Sequence, residues 1–259
     1  MQNQEVIDHI VAWLKDYSLN SKTQGFVVGV SGGIDSALTS TLCAMTGRPL
    51  RVLNMPIHQD QNQVNRADNH ISWLQNKFDN VQGETIDLTP IFRSIEEHFP
   101  KEIQDDLSMA NARARLRMTT LYTFAGHHKT LVAGTGNKVE DFGVGFFTKY
   151  GDGGVDLSPI ADLYKSEAYD LAKHLDILSE IQMAAPTDGL YGDDKTDEMQ
   201  IGASYPELEW AMEFLIKKEK RMLNPREMEV MEIYNSRHRA NKHKMVPIPV
   251  CNIPENLKS

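Results

Sequence analysis

The residues with the clearest chemical meaning follow an apolar run, FVVGV, which passes into the turn Ser31-Gly32-Gly33 and then into the helix-like stretch IDSA. Such a strand, turn and helix leaves backbone N–H groups free at a helix N-terminus, where an anion can bind. Glycine also allows the backbone to approach a phosphate closely. On two glycines alone, an ordinary turn in which Asp35 or Ser36 caps the helix is an equal alternative.

The same turn lacks two features of other phosphate loops. Ile34 stands where a Walker loop has its lysine, so transfer of a γ-phosphoryl group by that machinery is disfavoured. No third glycine follows at the start of the helix, so the dinucleotide-binding fingerprint is incomplete. The stretch therefore favours a cradle that holds pyrophosphate as a unit, which suits a reaction at the α-phosphate of a nucleotide.

Three later stretches add charged residues to glycine-rich segments: NARARLRM at residues 111–118, GTGNKVE at 134–140 and FFTKYGDGGVDLSPIADLYKSE at 146–167. Together with SGGIDS, they resemble the NAD synthetase family of the PP-loop ATP pyrophosphatase superfamily. The similarity runs from about residue 25 to 245 and includes PTDGL and DEMQIGASY. The resemblance implies amidation of deamido-NAD to NAD through an acyl-adenylate, with ammonia as nucleophile and AMP and pyrophosphate as products.

The resemblance also implies roles for individual residues. ATP would contact Gly29, Val30, Ser31, Gly32, Gly33, Ile34, Asp35, Ser36, Thr135, Lys165 and Thr187. Deamido-NAD would contact Arg115, Lys149, Asp156, His243 and Lys244. Asp35 and Glu140 would bind Mg²⁺, an ion that takes few protein ligands and keeps several waters. Two residues would be catalytic: Asp152 would attract ammonium and accept its proton, and Lys165 would offset the charge on departing pyrophosphate.

The acidic balance of the chain narrows its possible functions. A formal net charge of −9 argues against a nucleic-acid-binding body, because neutralising a phosphate backbone needs an excess of basic residues. Cys43 and Cys251 lie far apart and in no metal-binding spacing, which argues against a disulfide scaffold or a zinc site. Residues 1–17 alternate polar and apolar positions, unlike a signal peptide, so we expect a cytoplasmic protein without a membrane span.

Apolar periodicity predicts an α/β fold. Helices are expected at residues 1–17, 34–45, 64–78, 111–125, 165–175, from 206 onward and at 228–240, and strands at 26–30, 51–55, 85–88 and 131–133. Strands that alternate with helices imply a doubly wound parallel sheet, which binds ligands beyond the carboxyl ends of its strands. We expect one domain over 1–259, made of an N-terminal helix (1–24), a PP-loop core (25–183), a lid-like loop (184–205) and C-terminal helices with a tail (206–259).

The partners follow from the same resemblance. Only a 24-residue segment precedes the PP-loop core, which leaves no room there for the amidase domain of glutamine-using family members, so the ammonia-dependent type is expected. The resemblance also implies a homodimer, and a separate glutaminase subunit stays an open possibility. Three alternatives remain: another PP-loop amidase or tRNA-modifying adenylating enzyme, a nucleotide-binding regulator without catalysis, and a nucleic-acid-binding module.

Overall fold

The structure is a computed structural model that describes residues 1–185 and 196–258. In chain order the elements are α1 (Asn3–Asn20), β1 (Phe26–Gly29), α2 (Ile34–Met45), β2 (Leu50–Asn54), α3 (Gln61–Lys77), β3 (Val81–Thr85), α4 (Thr89–His98), a 3-10 turn (Lys101–Ile103), α5 (Asp106–His128), β4 (Leu131–Val132), a π-helix (Val139–Val144), α6 (Lys165–His174), α7 (Ser179–Gln182), α8 (Asp197–Ile201), α9 (Tyr205–Lys217), α10 (Pro225–Met245) and a second 3-10 turn (Glu255–Leu257).

The strands form one parallel sheet in the order β3-β2-β1-β4. Phe26 of β1 pairs with Leu50 of β2 on one side and with Leu131 of β4 on the other. Beyond β4, the sheet continues as an isolated parallel bridge between Ala133 and Leu157. The parallel α/β architecture predicted from the sequence is therefore confirmed.

Helices cover both faces of this sheet because the side chains of a strand point alternately to its two sides. Phe26 and Val28 pack into a core with residues of α1, α2, α3, α6 and α7. Val27, between them, points the other way, into a core with α4 and α5. A strand that is buried on both sides needs a continuous apolar run, which is what FVVGV supplies.

A third core holds the C-terminal helices against the π-helix. Its buried members include Val139 and Val144 of the π-helix, together with residues of α8, α9 and α10. Side chains of α10 donate to carbonyl oxygens at the end of the π-helix: His238 Nδ1 to Gly143 at 2.8 Å and Asn241 Nδ2 to Val144 at 2.9 Å. The C-terminal helices thus fix a segment that follows β4 in the chain.

Two predicted strand positions are wrong. The strand predicted at residues 85–88 lies instead at Val81–Thr85, and the one predicted at 51–55 is shifted by one residue to Leu50–Asn54. β3 is the edge strand, and its burial alternates around exposed Gln82 and Glu84, so it lacks the apolar run that marks a central strand. Gly83 also lowers its strand propensity, yet a side chain there would collide with Ile71 of α3.

Several helices are longer than predicted because polar caps lie outside the apolar pattern. Asp60 is the N-cap residue of α3, and its side chain accepts a hydrogen bond from Asn62 N. This helix therefore begins at Gln61 rather than at residue 64. Asp105 similarly caps α5, which runs from Asp106 to His128 instead of 111–125. Asn224 caps α10 and forms a capping box with Glu227, so the helix expected at 228–240 spans Pro225–Met245.

Helical structure also lies where the sequence predicted loops. The short helix α8 occupies part of the lid-like loop predicted at 184–205, and residues 186–195 of that loop lie outside the described part of the chain. The glycine-rich stretch after residue 136 contains the π-helix, and α4 follows β3 without having been predicted. The π-helix escaped prediction because its period differs from the 3.6 residues used to recognise helices.

No helix within residues 1–185 and 196–258 is long and apolar enough to cross a membrane. Both cysteines are free thiols, with Cys43 buried in the core and Cys251 exposed near the C-terminus. Burial raises the pKa of the Cys43 thiol far above its ordinary value. Cys43 is therefore not placed as an activated nucleophile in this fold.

Two glycines with the same backbone conformation test how tightly α10 holds the π-helix. Gly145 has φ +65°, and a Cβ there would lie 2.4 Å from Asn241 Cβ; Gly47 has φ +69° but open space around it. We expect Gly47→Ala to lower the free energy of unfolding by about 1 kcal/mol, the cost of a left-handed alanine. Gly145→Ala adds an overpacking cost of roughly 1–3 kcal/mol. Urea unfolding measures both, and equal losses would show that α10 does not pack tightly here.

Candidate active site

The predicted phosphate loop follows β1, the strand on whose two sides the rest of the sheet is built. β2 and β3 lie on one side of β1, and β4 lies on the other, so the connections after β1 and β4 diverge at their carboxyl ends. The Ser31-Gly32-Gly33 turn follows β1, and the GTGNK stretch follows β4. Open α/β sheets bind ligands in the crevice at such a switch point. One continuous pocket opens there and includes residues of both connections.

The turn leaves the first N–H groups of α2 available for a ligand. Gly33 is the N-cap residue, and within the described chain no side chain caps this helix. Ser36 Oγ instead braces the turn, since it donates to Gly33 O at 3.0 Å and lies 3.2 Å from Ser31 N. Gly32 has φ +80°, and a Cβ there would lie 2.8 Å from Gln63 O. The alternative in which Asp35 or Ser36 simply caps the helix is therefore not what the turn adopts.

A buried lysine joins the two carboxylates that the sequence assigned to the metal. Lys165 Nζ, at the start of α6, lies 2.5 Å from Asp35 Oδ2 and 3.0 Å from Glu140 Oε1. Its side chain is only 5% exposed. Burial alone would lower the pKa of Lys165, but attraction to Asp35 and Glu140 raises it above the ordinary value, so the ammonium stays charged. Burial raises the pKa of Asp35, and Lys165 only partly offsets that rise.

The arrangement leaves room for a cation. Asp35 Oδ1 is buried, and no group in the described residues donates a hydrogen bond to it. Such an orphaned oxygen beside a second carboxylate fits a cation ligand. Within the described residues, no set of three or more His, Cys, Asp or Glu side chains could hold a metal ion. Asp35 and Glu140 therefore fit Mg²⁺ only if phosphate oxygens and water complete its shell.

The pocket contains two acidic residues in addition to the predicted metal ligands Asp35 and Glu140. Asp141, next to Glu140 in the π-helix, packs so closely on Gly136 that its Oδ1 lies 2.1 Å from where a Cβ would stand. Burial, followed by repulsion from Glu140 and Asp152, raises the pKa of Asp141 to about 8. Sequence reasoning missed Asp141, because an acid beside a predicted ligand carries no spacing signal of its own.

Asp152 occupies the wall of the same pocket, as its predicted catalytic role requires. The residue as a whole is exposed, but one carboxylate oxygen accepts a hydrogen bond from Thr148 N at 2.9 Å. Loss of solvent around that carboxylate raises its pKa to about 6, although the bond from Thr148 works in the opposite direction. Asp152 therefore changes charge close to neutral pH.

Four of the residues predicted to contact deamido-NAD form one group beside the pocket. Arg115 Nε donates to Lys149 O at 3.3 Å, and Lys149 Nζ donates to His243 O at 2.9 Å. Lys244 Nζ donates to the carbonyl oxygens of Gly145 and Phe147 at 2.5 and 2.6 Å. The structure thus gathers these basic residues around residues 145–149, outside the pocket lining itself.

Asp156, the fifth of these residues, has protein partners of its own. Its Oδ1 accepts from Tyr122 Oη at 3.0 Å and its Oδ2 from Val132 N at 2.8 Å. Both oxygens are therefore engaged at the edge of β4. Two other arginines of α5 point elsewhere: Arg117 Nε donates to Met55 O, while the Arg113 guanidinium lies 5.0 Å from the Phe92 ring centroid.

The pocket contains most of the residues predicted for ATP and the metal. Its lining includes Gly29, Val30, Ser31, Gly33, Ile34, Asp35, Ser36, Thr135, Glu140, Asp152 and Lys165. Gly32 is buried beneath the turn against α3. Thr187 lies outside the described residues. The lining also includes residues that sequence reasoning did not name, among them Gln59, Arg117 and Asp197.

Known proteins resemble this chain over most of its length. The family model described as NAD synthase matches residues 6–247. The NH(3)-dependent NAD(+) synthetase of Alkaliphilus metalliredigens is 35% identical over 258 residues, which cover 95% of this chain and 98% of that protein.

Two solved structures share the fold over nearly the whole chain. The NMN synthetase from Francisella tularensis has a TM-score of 0.85 and 31% identity, covering 98% of this chain and 100% of that chain. The NH3-dependent NAD synthetase from Campylobacter jejuni, solved with a nitrate ion, has a TM-score of 0.79 and 26% identity, with 97% and 100% covered.

The raised pKa of Asp152 predicts a pH-dependent effect of its removal. The pKa of the Asp152 carboxyl is about 6 in the folded chain and near 3.8 ordinarily. Between these two pH values the folded state binds more protons than the unfolded state. The folded protein therefore loses stability as the pH rises through this range. Asp152→Asn keeps the acceptor for Thr148 N and removes the charge. Urea unfolding should show the variant more stable than the wild type at pH 7.5 by about 1 kcal/mol, after allowance for solvent screening. The difference should vanish near pH 4; a difference that is constant with pH would contradict the raised pKa.

Proposed function

The chain belongs to the NAD synthase family, and from that premise we propose that it amidates the nicotinate carboxylate of deamido-NAD with ATP and ammonia. The carboxylate attacks the α-phosphorus of ATP, and the bond to pyrophosphate breaks. Ammonia then attacks the carbonyl carbon of the resulting acyl-adenylate, AMP leaves and one proton is released. NAD, AMP and pyrophosphate are the products, and the enzyme is a carbon–nitrogen ligase.

The observation that carries this proposal is the contact of Lys165 with the phosphate loop. Its ammonium lies 2.5 Å from Oδ2 of Asp35, a residue in the first turn of α2, where the N–H groups are free. A cation and a helix N-terminus that point to one place stabilise negative charge, and pyrophosphate accumulates such charge as it leaves. Lys165 thereby supplies the cation that Walker loops carry within the loop itself.

Mg²⁺ is the metal we assign to this reaction. Asp35 and Glu140 would hold it, in keeping with the orphaned oxygen of Asp35. When bound there, the ion would neutralise phosphate charge and orient the triphosphate. The chain's own contribution is the position of the two carboxylates on separate connections of the sheet.

Ammonia is the proposed nitrogen donor, as the names of the relatives indicate for those proteins. The carboxylates of Asp141 and Asp152 lie in the pocket wall and repel each other electrostatically. An incoming ammonium relieves that repulsion, and a carboxylate with a raised pKa is a better acceptor for its proton. Asp152 is our candidate for that acceptor.

A second candidate substrate is nicotinic acid mononucleotide. The observation that favours it is the likeness to the Francisella tularensis NMN synthetase over 98% of this chain. Both substrates share the nicotinate carboxylate, so the same adenylation and amidation apply to either. They differ in whether an adenylate group extends beyond the shared nucleotide.

We further propose that the chain forms a homodimer in the cytoplasm. Exposed apolar side chains lie along α4, the first 3-10 turn and the start of α5: Ile91, Phe99, Ile103 and Leu107. Exposed apolar side chains that recur along neighbouring segments in this way support an interface. The acidic chain and its two free cysteines suit a reducing compartment.

Product analysis tests the reaction directly. With deamido-NAD, ATP, Mg²⁺ and ammonium, we expect equal amounts of NAD, AMP and pyrophosphate, and slower turnover when glutamine replaces ammonium. Asp35→Asn should reduce turnover by roughly a hundredfold or more, because it removes the charge that faces Lys165 and the metal. Asp162→Asn is the matched control, since Asp162 pairs with Lys138 at the surface with 98% of its side chain exposed. ATP binding without AMP release would support a regulator instead.

The two candidate substrates are separated by their kcat/KM values. We expect kcat/KM for deamido-NAD to exceed that for nicotinic acid mononucleotide by at least about tenfold, which corresponds to roughly 1.4 kcal/mol of additional binding to the adenylate part. Both assays use the same ATP and ammonium concentrations, and AMP release is the common readout. A preference for the mononucleotide would reverse the assignment while leaving the chemistry intact.

A further inference from the structure

We propose that Tyr205 is a positioning residue that holds Glu140 and Lys165 in the geometry needed to bind the metal and ATP. This inference rests on the proposed function, because that function gives Glu140 and Lys165 their roles. Tyr205 is the first residue of α9 and lies in the stretch DEMQIGASY, for which sequence reasoning assigned no site residue. Only 3% of it is exposed.

The hydroxyl of Tyr205 makes a short hydrogen bond to the predicted metal ligand. It donates to Glu140 Oε1 at 2.5 Å, and the same oxygen accepts from Lys165 Nζ at 3.0 Å. No described group donates to the other oxygen, Oε2. Tyr205 and Lys165 together therefore fix the orientation of the carboxylate while one oxygen stays available for a cation.

The aromatic ring of Tyr205 contacts Lys165, the other member of the ion pair with Glu140. The Lys165 ammonium lies 4.7 Å from the ring centroid, within range of a cation–π interaction. The hydroxyl and the ring thus contact the anion and the cation of the same ion pair. A phenylalanine would keep the ring contact and lose only the hydrogen bond, so the two contributions can be separated by substitution.

Hydrogen bonds to α8, the helix that precedes it, fix the position of Tyr205. Its backbone N–H donates to Glu198 Oε1 at 2.8 Å, and its hydroxyl lies 3.3 Å from Asp197 Oδ2. Its side chain packs in the core formed by the π-helix and the C-terminal helices. The side chain has little freedom to follow Glu140, so Glu140 must conform to Tyr205.

This geometry has a consequence for the loaded site. When ATP is bound, the Lys165 ammonium is attracted toward the phosphates, and its contact with Glu140 weakens. Tyr205 then remains as the donor that holds Glu140 Oε1 in place. A hydrogen bond to a charged group is stronger than one between neutral groups, so its loss should be measurable as weaker metal binding.

Metal binding without turnover tests the inference. The Kd of Mn²⁺ is measured by electron paramagnetic resonance with ATP present and with deamido-NAD and ammonium omitted, for the wild type and for Tyr205→Phe. We expect the Kd to rise at least about tenfold in Y205F, from the loss of one charge-assisted hydrogen bond. Tyr234→Phe is the matched control, because Tyr234 is a buried tyrosine of the same core. Its Kd should stay within twofold of wild type.

A double-mutant cycle separates positioning from a structural role. If Tyr205 acts through Glu140, Tyr205→Phe should have no further effect on the Kd in a Glu140→Gln background. An unchanged Kd in Y205F, an equal rise in Y234F, or the same rise in both backgrounds would overturn the proposal. Because the cycle involves no amidation, a shift in Y205F without any amidation by the wild type in the product assay would contradict the proposed function and still support Tyr205 as a positioning residue.

Discussion

The organisation of the site depends on the burial of three charges, those of Lys165, Asp35 and Glu140. Removing charged groups from water is costly, and mutual attraction offsets that cost only when the geometry is close and other donors assist. Lys165 contacts both carboxylates within 3.0 Å, and Tyr205 and Asn137 donate to them as well. The scaffold must therefore bring three separate segments together with little tolerance.

The two halves of the molecule meet this requirement in different ways. The sheet positions Asp35, because β1 and the turn after it are buried between helices on both faces. The C-terminal helices position Glu140, because α9 and α10 pack against the π-helix and α10 donates to carbonyl oxygens at its end. Lys165 begins α6 between these two halves. The ion pair is thus one of the contacts that join the sheet to the C-terminal part of the molecule, together with the hydrogen bonds from Ser166 of α6 to Glu209 of α9.

The pocket holds more acidic side chains than Lys165 contacts. Asp141 and Asp152 add two carboxylates whose pKa values are raised to about 8 and about 6, mainly by burial. Strongly perturbed pKa values of this kind are concentrated at functional sites. A cation that enters the pocket would lower the electrostatic free energy of these acidic groups. A metal ion and an ammonium would both do so. The basic group around residues 145–149 provides the opposite charge beside the pocket, where the proposed function would place the phosphates of a nucleotide substrate.

The sequence by itself determined the phosphate loop, the parallel α/β class and the family, since FVVGVSGGIDS, GTGNKVE and FFTKYGDGG are local patterns whose residue types and order carry the chemistry. It placed Asp35, Glu140 and Lys165 in one site only through the resemblance. Tertiary structure alone decided that Lys165 bridges the two acids, that Tyr205 holds Glu140 and that Asp141 enters the pocket. These contacts join residues up to 130 positions apart. Local periodicity reports which face of an element is buried, but it cannot report which distant side chain meets it there.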